Sequence, residues 1–169
     1  MPALKLARGE YVAFLDAEDC WQPNMLEQAA SALDAEPDCV LAYSNCEPVD
    51  WTGRPLNTTM IGADQAHAPS LDELLHHLWP IMPSAVLMRR SVLQDCRGFS
   101  KLFRGYGFED VHCWLLARER GGFVYLPSRS SGGERRRFQS CAESSVTTPR
   151  RPGSSRAWCR NATAFRRRS

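Results

Sequence analysis

Residues 9–19, Gly-Glu-Tyr-Val-Ala-Phe-Leu-Asp-Ala-Glu-Asp, carry an apolar strand straight into three carboxylates. Val12, Phe14 and Leu15 have the branched and aromatic character of a strand buried in a sheet. The acids then stand at its carboxyl end, which is where open α/β sheets bind ligands. Carboxylate oxygens at such an edge suit Mg²⁺ or Mn²⁺, and such a cation can grip a diphosphate. Taken alone, three acids fit an ordinary acidic turn better than a metal site.

The chain that follows continues as α/β. Residues 11–15 read as the first strand. Pro23 suits the first turn of a helix, and Met25, Leu26, Ala29, Ala30 and Leu33 recur at helical spacing. Residues 39–43 form a second strand, so strand, helix and strand build the unit of an open sheet with a helix on its face. The polar stretch 47–59 is a loop. Ser70 and Glu73 have the spacing of a capping box for a short helix. Pro80 and Pro83 break the chain before a third strand at 85–88, and residues 91–96 make one or two helical turns ahead of Gly98. A late helix over 109–120 opens on Glu109 and Asp110, has Val111, Trp114, Leu115 and Arg118 as its stripe, and stops at Gly121 and Gly122. A short extended run, 123–126, follows it.

Charge divides the chain. Residues 1–127 carry 10 Lys and Arg against 17 Asp and Glu, a net of −7, whereas residues 128–169 carry 11 Arg against 2 Glu, a net of +9. The basic part is rich in Ser, Gly and Pro, cannot cover a core and is expected to be disordered. Its arginines would attract nucleic acid only through phosphate charge, because no stacking platform or zinc-finger pattern accompanies them. No specific nucleic acid is therefore expected as a partner. The seven cysteines form no close pair, which argues against a disulfide framework or a zinc site and favours a reducing, cytoplasmic setting. No leader pattern opens the chain, and no apolar run reaches membrane-spanning length, which leaves a peripheral membrane contact open.

Three segments, in order, resemble the family 2 glycosyltransferases, the large inverting group of GT-A fold. Residues 9–23 are similar to the family's Leu-Asp-x-Asp-Asp metal segment and the Pro after it, with Glu18 in place of the usual Asp. Residues 84–99, Ser-Ala-Val-Leu-Met-Arg-Arg-Ser-Val-Leu-Gln-Asp-Cys-Arg-Gly-Phe, resemble the acceptor-side segment, with Arg97 where the first of two glycines usually stands. Gly107-Phe108-Glu109-Asp110, followed by Trp114, Leu115 and Arg118, matches the Glu-Asp motif.

The resemblance implies a partial GT-A fold, Rossmann-like and three-layered, lacking its first strands. Residues 1–127 would be the C-terminal part of that domain and 128–169 a basic tail. It implies transfer of a sugar from a nucleotide-diphosphate donor to the hydroxyl of a saccharide or glycoconjugate, with inversion. Asp16 and Glu18 would contact the donor diphosphate through Mg²⁺ or Mn²⁺, with Asp19 a third metal candidate. Asp110 would be the base and Glu109 its neighbour in the acceptor pocket. Arg129 or Arg135–Arg137 would close over the diphosphate. Trp114 and Cys113 are expected to pack, and Trp21 to lie nearer the cleft. The alternative is a truncated, catalytically silent remnant, or a subunit whose partner supplies donor binding. Without its first strands, the sheet is expected to expose an apolar edge.

Overall fold

A computed structural model of the chain describes residues 2–50, 52–103, 106–127, 139–140 and 162–165. In chain order the helices are α1 (Pro2–Leu6), α2 (Met25–Ala35), α3 (Leu71–His76), α4 (Arg90–Asp95) and α5 (Glu109–Arg118). The strands are β1 (Tyr11–Phe14), β2 (Asp19–Cys20), β3 (Cys39–Ser44), β4 (Val86–Arg89), β5 (Gly122–Leu126), β6 (Gln139–Ser140) and β7 (Ala162–Phe165).

The main sheet has the order β5-β3-β4-β1-β7. β3 and β5 are parallel, while β4 runs antiparallel to both β3 and β1. Consequently β1, β3 and β5 share a direction, and their carboxyl ends lie along one edge. The antiparallel β4 between β1 and β3 is a departure from the simple strand–helix–strand unit that local pattern suggests.

Alternation along the strands feeds two cores, because successive side chains face opposite sides of a sheet. Tyr11, Ala13, Ala42 and Leu87 pack with Ala29, Ala30 and Leu33 of α2. Val12, Phe14, Leu41, Tyr43, Val86 and Met88 pack with Leu93 of α4 and with Cys113, Trp114 and Ala117 of α5. Helices therefore cover both faces, in the three layers expected.

Several boundaries move. β1 ends at Phe14, and α2 starts at Met25 with Asn24 as its cap, leaving Pro23 outside the helix. The buried side of α5 is Glu109, Cys113, Trp114 and Ala117, so Val111 and Leu115 flank the packed stripe rather than define it. The capping box of α3 is formed in full: the Ser70 hydroxyl accepts from the Glu73 amide, and the Glu73 carboxylate accepts from the Ser70 amide.

The outer edge of β1, expected to be open, is paired antiparallel with β7, Tyr11 opposite Phe165 and Phe14 opposite Ala162. The expectation of a disordered tail falls mostly outside the described residues, and the two described stretches within it are β6 and β7. Arg129 and Arg135–Arg137 lie outside the described residues.

Candidate functional site

The acids after β1 form a tight turn. The Asp19 amide donates to the Asp16 carbonyl at 3.1 Å, and the two central residues, Ala17 and Glu18, are exposed. Asp16 and Asp19, at the corners, are half-buried. The turn leads into β2, which pairs with β6.

Ser84 holds this turn from 68 residues away in sequence. It lies in a 3-10 turn, Pro83–Ala85, that enters β4, and it is only 2% exposed. Its hydroxyl oxygen accepts from the Asp16 amide at 3.1 Å and donates to the Asp19 carboxylate. Its carbonyl accepts from the indole of Trp21 at 2.7 Å. One buried residue thus fixes both corners of the turn and the aromatic that follows it. Trp21 also packs against Met25 and Ala85, so its role at the edge is support.

Burial raises the Asp19 carboxyl above its ordinary value, with Glu18 adding to the rise and the Ser84 hydroxyl opposing it. Asp19 in turn faces the end of β3. Burial, helped by Asp19, pushes the Cys46 thiol up to about 12, so this cysteine is a neutral packing group. Just before it, Asn45 clamps the returning loop, donating to the Ile61 carbonyl at 2.8 Å and accepting from the Ile61 amide at 2.9 Å.

Helix α5 brings the second acidic pair to the same edge. Its carboxyl end is anchored at the start of β3, where the Gly122 amide donates to the Asp38 carbonyl at 2.9 Å. From there α5 reaches back toward the far ends of the strands. The Trp114 ring sits 6.2 Å from Phe14 at the end of β1 and 5.8 Å from Phe99. Its indole donates to the Ile81 carbonyl at 3.2 Å, three residues before Ser84. Asp110 lies one turn, about 6 Å along the axis, beyond Trp114. Asp16 lies two residues beyond Phe14. The Phe14–Trp114 contact and the segment 81–84 therefore tie the two acidic clusters to one edge of the sheet. Trp114 and Cys113 are fully packed, as expected.

Asp110 is half-buried, and its Oδ1 accepts from the Val111 amide at 2.8 Å. Burial raises its carboxyl above the usual range, and Glu109 adds to the rise against that hydrogen bond. Glu109 is only 5% exposed, and its Oε2 has no hydrogen-bond partner among the described residues. An unmet buried acceptor is costly and uncommon in a folded chain, and it marks a group that a ligand can satisfy.

Among the described residues, no three His, Cys, Asp or Glu side chains cluster as a metal cage. The acids of the 16–19 turn are the donors present, and their oxygens are the hard type that Mg²⁺ and Mn²⁺ take. Mg²⁺ commonly binds through one or two carboxylates with the rest of its shell from water and phosphate. Sequence reasoning missed Ser84, because a lone serine after a proline has no pattern that would single it out.

Residues 1–97 match the family model described as glycosyl transferase family 2; the Glu109–Asp110 pair lies beyond that match. The fold is similar to that of S. aureus TarS 1–349, at 21% identity and a TM-score of 0.58, over 83% of this chain and 38% of that one. The same TarS fragment in complex with UDP-GlcNAc is similar at 21% identity and a TM-score of 0.50, over 79% of this chain and 38% of that one. At such identity the likeness is one of fold, and the chain spans about two fifths of that TarS 1–349 fragment. No curated protein matches the sequence.

Proposed function

The chain belongs to glycosyl transferase family 2, and from that premise we propose that it transfers a sugar from a nucleotide-diphosphate donor to an acceptor hydroxyl, with inversion. The reading is supported by the contacts that link the two acidic segments: Ser84 holds the Asp16–Asp19 turn, and Trp114, one turn from Asp110, packs on Phe14 and donates to the Ile81 carbonyl. A sugar nucleotide seated there has its diphosphate beside the turn and its anomeric carbon toward α5.

Asp110 is the base in this reading. Desolvation holds its pKa above that of a free carboxylate, which makes it a better acceptor for the proton of the attacking hydroxyl. The oxygen attacks the anomeric carbon from the face opposite the leaving nucleotide, and configuration inverts. The Oε2 of Glu109, without a partner among the described residues, accepts a hydrogen bond from the acceptor and orients it. Asp16 and Glu18, with Asp19 behind them, would hold Mg²⁺ or Mn²⁺, which supplies positive charge to the departing diphosphate when bound. Ser84 keeps the turn in one shape, so that the carboxylates need not reorganise when the donor arrives.

The acceptor class is a saccharide or glycoconjugate, and the setting is the cytoplasm or a membrane surface facing it. Among the described residues, no helix is long and apolar enough to cross a membrane. UDP-sugars are the first donors to test, because UDP-GlcNAc occupies the similar TarS fragment.

The test is a transfer assay with UDP-sugars and oligosaccharide acceptors, read by mass spectrometry, on the wild type and Asp110→Asn. Product from the wild type and none from the variant supports the proposal. The second reading is a chain that depends on a partner for donor binding or is catalytically silent. It draws on the fact that the chain spans 38% of the TarS fragment, and it predicts no product from either protein.

A further inference from the structure

The segment between α4 and α5 has a character unlike the rest of the acidic body. From Cys96 to Phe108 it contains Arg97, Lys101 and Arg104 and no acid. Its apolar side chains fall into two sets. Phe99 packs tilted on Phe14 and edge-on to Trp114, with centroids at 4.9 and 5.8 Å, and Phe103 packs tilted on His112 at 5.0 Å. These rings root the segment in the domain. Leu102, Tyr106 and Phe108 are instead 85%, 76% and 54% exposed. Leu102 rides on a 3-10 turn, Lys101–Phe103, and Phe108 is the residue that caps α5. Arg97 and Lys101 are exposed as well.

Exposed leucine and aromatics interspersed with cations, in a stretch that has no acid between Cys96 and Phe108, make up the chemistry of a membrane interface. Aromatic rings favour the headgroup level, apolar side chains enter the acyl boundary, and Lys and Arg meet anionic lipid. A saccharide platform fits less well, because a protruding Leu102 offers a sugar neither a flat ring nor a hydrogen bond. We propose that residues 97–103 and 106–108 dock the protein on an anionic lipid bilayer, with Leu102, Tyr106 and Phe108 entering the interface and Arg97 and Lys101 facing the headgroups. Asp110 then lies two residues from the bilayer contact. If sugar transfer is accepted, on which this one consequence rests, the acceptor hydroxyl is carried on a lipid.

The test uses the full chain with vesicles of phosphatidylcholine alone or mixed with phosphatidylglycerol, read by co-sedimentation and by hydrogen exchange. The basic tail can also bind anionic vesicles, so exchange locates the contact. The expected result is slowed exchange over 97–108 on the anionic vesicles, weakened by salt. Lys101→Ala should lower partitioning about fivefold, as expected for one basic side chain near an anionic surface, and Leu102→Ser with Tyr106→Ser should lower it further. Circular dichroism of the variants should match the wild type, since these side chains are exposed. Protection confined to 128–169, or partitioning unchanged in the double variant, overturns the proposal. So does a neutral oligosaccharide that protects 97–108 where vesicles do not. None of these readouts needs turnover, so failure here is separate from failure of the transfer reading.

Discussion

The Ser84 hydroxyl oxygen lies 3.1 Å from the Asp16 amide and donates its own proton to the Asp19 carboxylate. At 2% exposure, no water can easily replace it. Ser84→Ala should therefore cost about 1–3 kcal/mol of stability, the range for a buried polar group left unmet. Chemical denaturation measures that loss. Donor KM should rise about tenfold while kcat changes less, because the turn that receives the diphosphate loses its brace.

Asp110 links pH to both activity and stability. Its folded pKa is raised above the ordinary carboxylate value by burial. A raised folded pKa means that folding favours the protonated form. The stability this group contributes is thus fully present below its unfolded pKa and is lost as pH rises through the folded one. Asp110→Asn removes the buried charge, so thermal scans near neutral pH should give a higher Tm than wild type. The gap should close near about pH 3, below the unfolded pKa. Transfer should follow the opposite course: wild-type rates fall as acid protonates Asp110, and the Asn variant loses at least ~10²-fold at neutral pH.

Much of this edge is legible in the sequence. Val12 and Phe14 announce β1, and the acids after it mark the turn, because both signals are local. The Ser70–Glu73 cap and the acidic start of α5 are local in the same way. The insertion of β4 between β1 and β3 is not, since strand order depends on contacts distant in sequence. Ser84 shows the same limit, because its significance lies in a partner 68 positions away. β7 pairs with β1 from a segment whose arginines and serines carry no strand pattern.

Arg97 occupies a position that favours glycine. The Gly98 amide donates to the Leu93 carbonyl and the Arg97 amide to that of Gln94, both at 2.9 Å, which closes α4 in a Schellman-type turn. This leaves Arg97 at φ 60°, a conformation that side chains disfavour. Arg97→Gly should stabilise the fold by about 1 kcal/mol, read as a raised denaturation midpoint with an unchanged slope.

Gly121 has the reverse sensitivity. A Cβ there would sit 2.5 Å from Val40 Cγ1 and 2.7 Å from the Asp38 carbonyl oxygen. The backbone oxygen cannot rotate away, so the junction of α5 and β3 must open. Gly121→Ala should destabilise by about 1–3 kcal/mol, measured by thermal or urea unfolding. Donor binding should weaken less than stability does, because the acidic turn is held separately by Ser84.

The most direct measurement of the central claim is calorimetry of the full chain with UDP in the presence of Mn²⁺, for the wild type and Asp16→Ala. A turn that receives a metal-bound diphosphate predicts heat of binding from the wild type, dependent on Mn²⁺, and its loss in the variant. Binding of equal strength in both proteins would contradict the assignment of the β1 edge as the donor site.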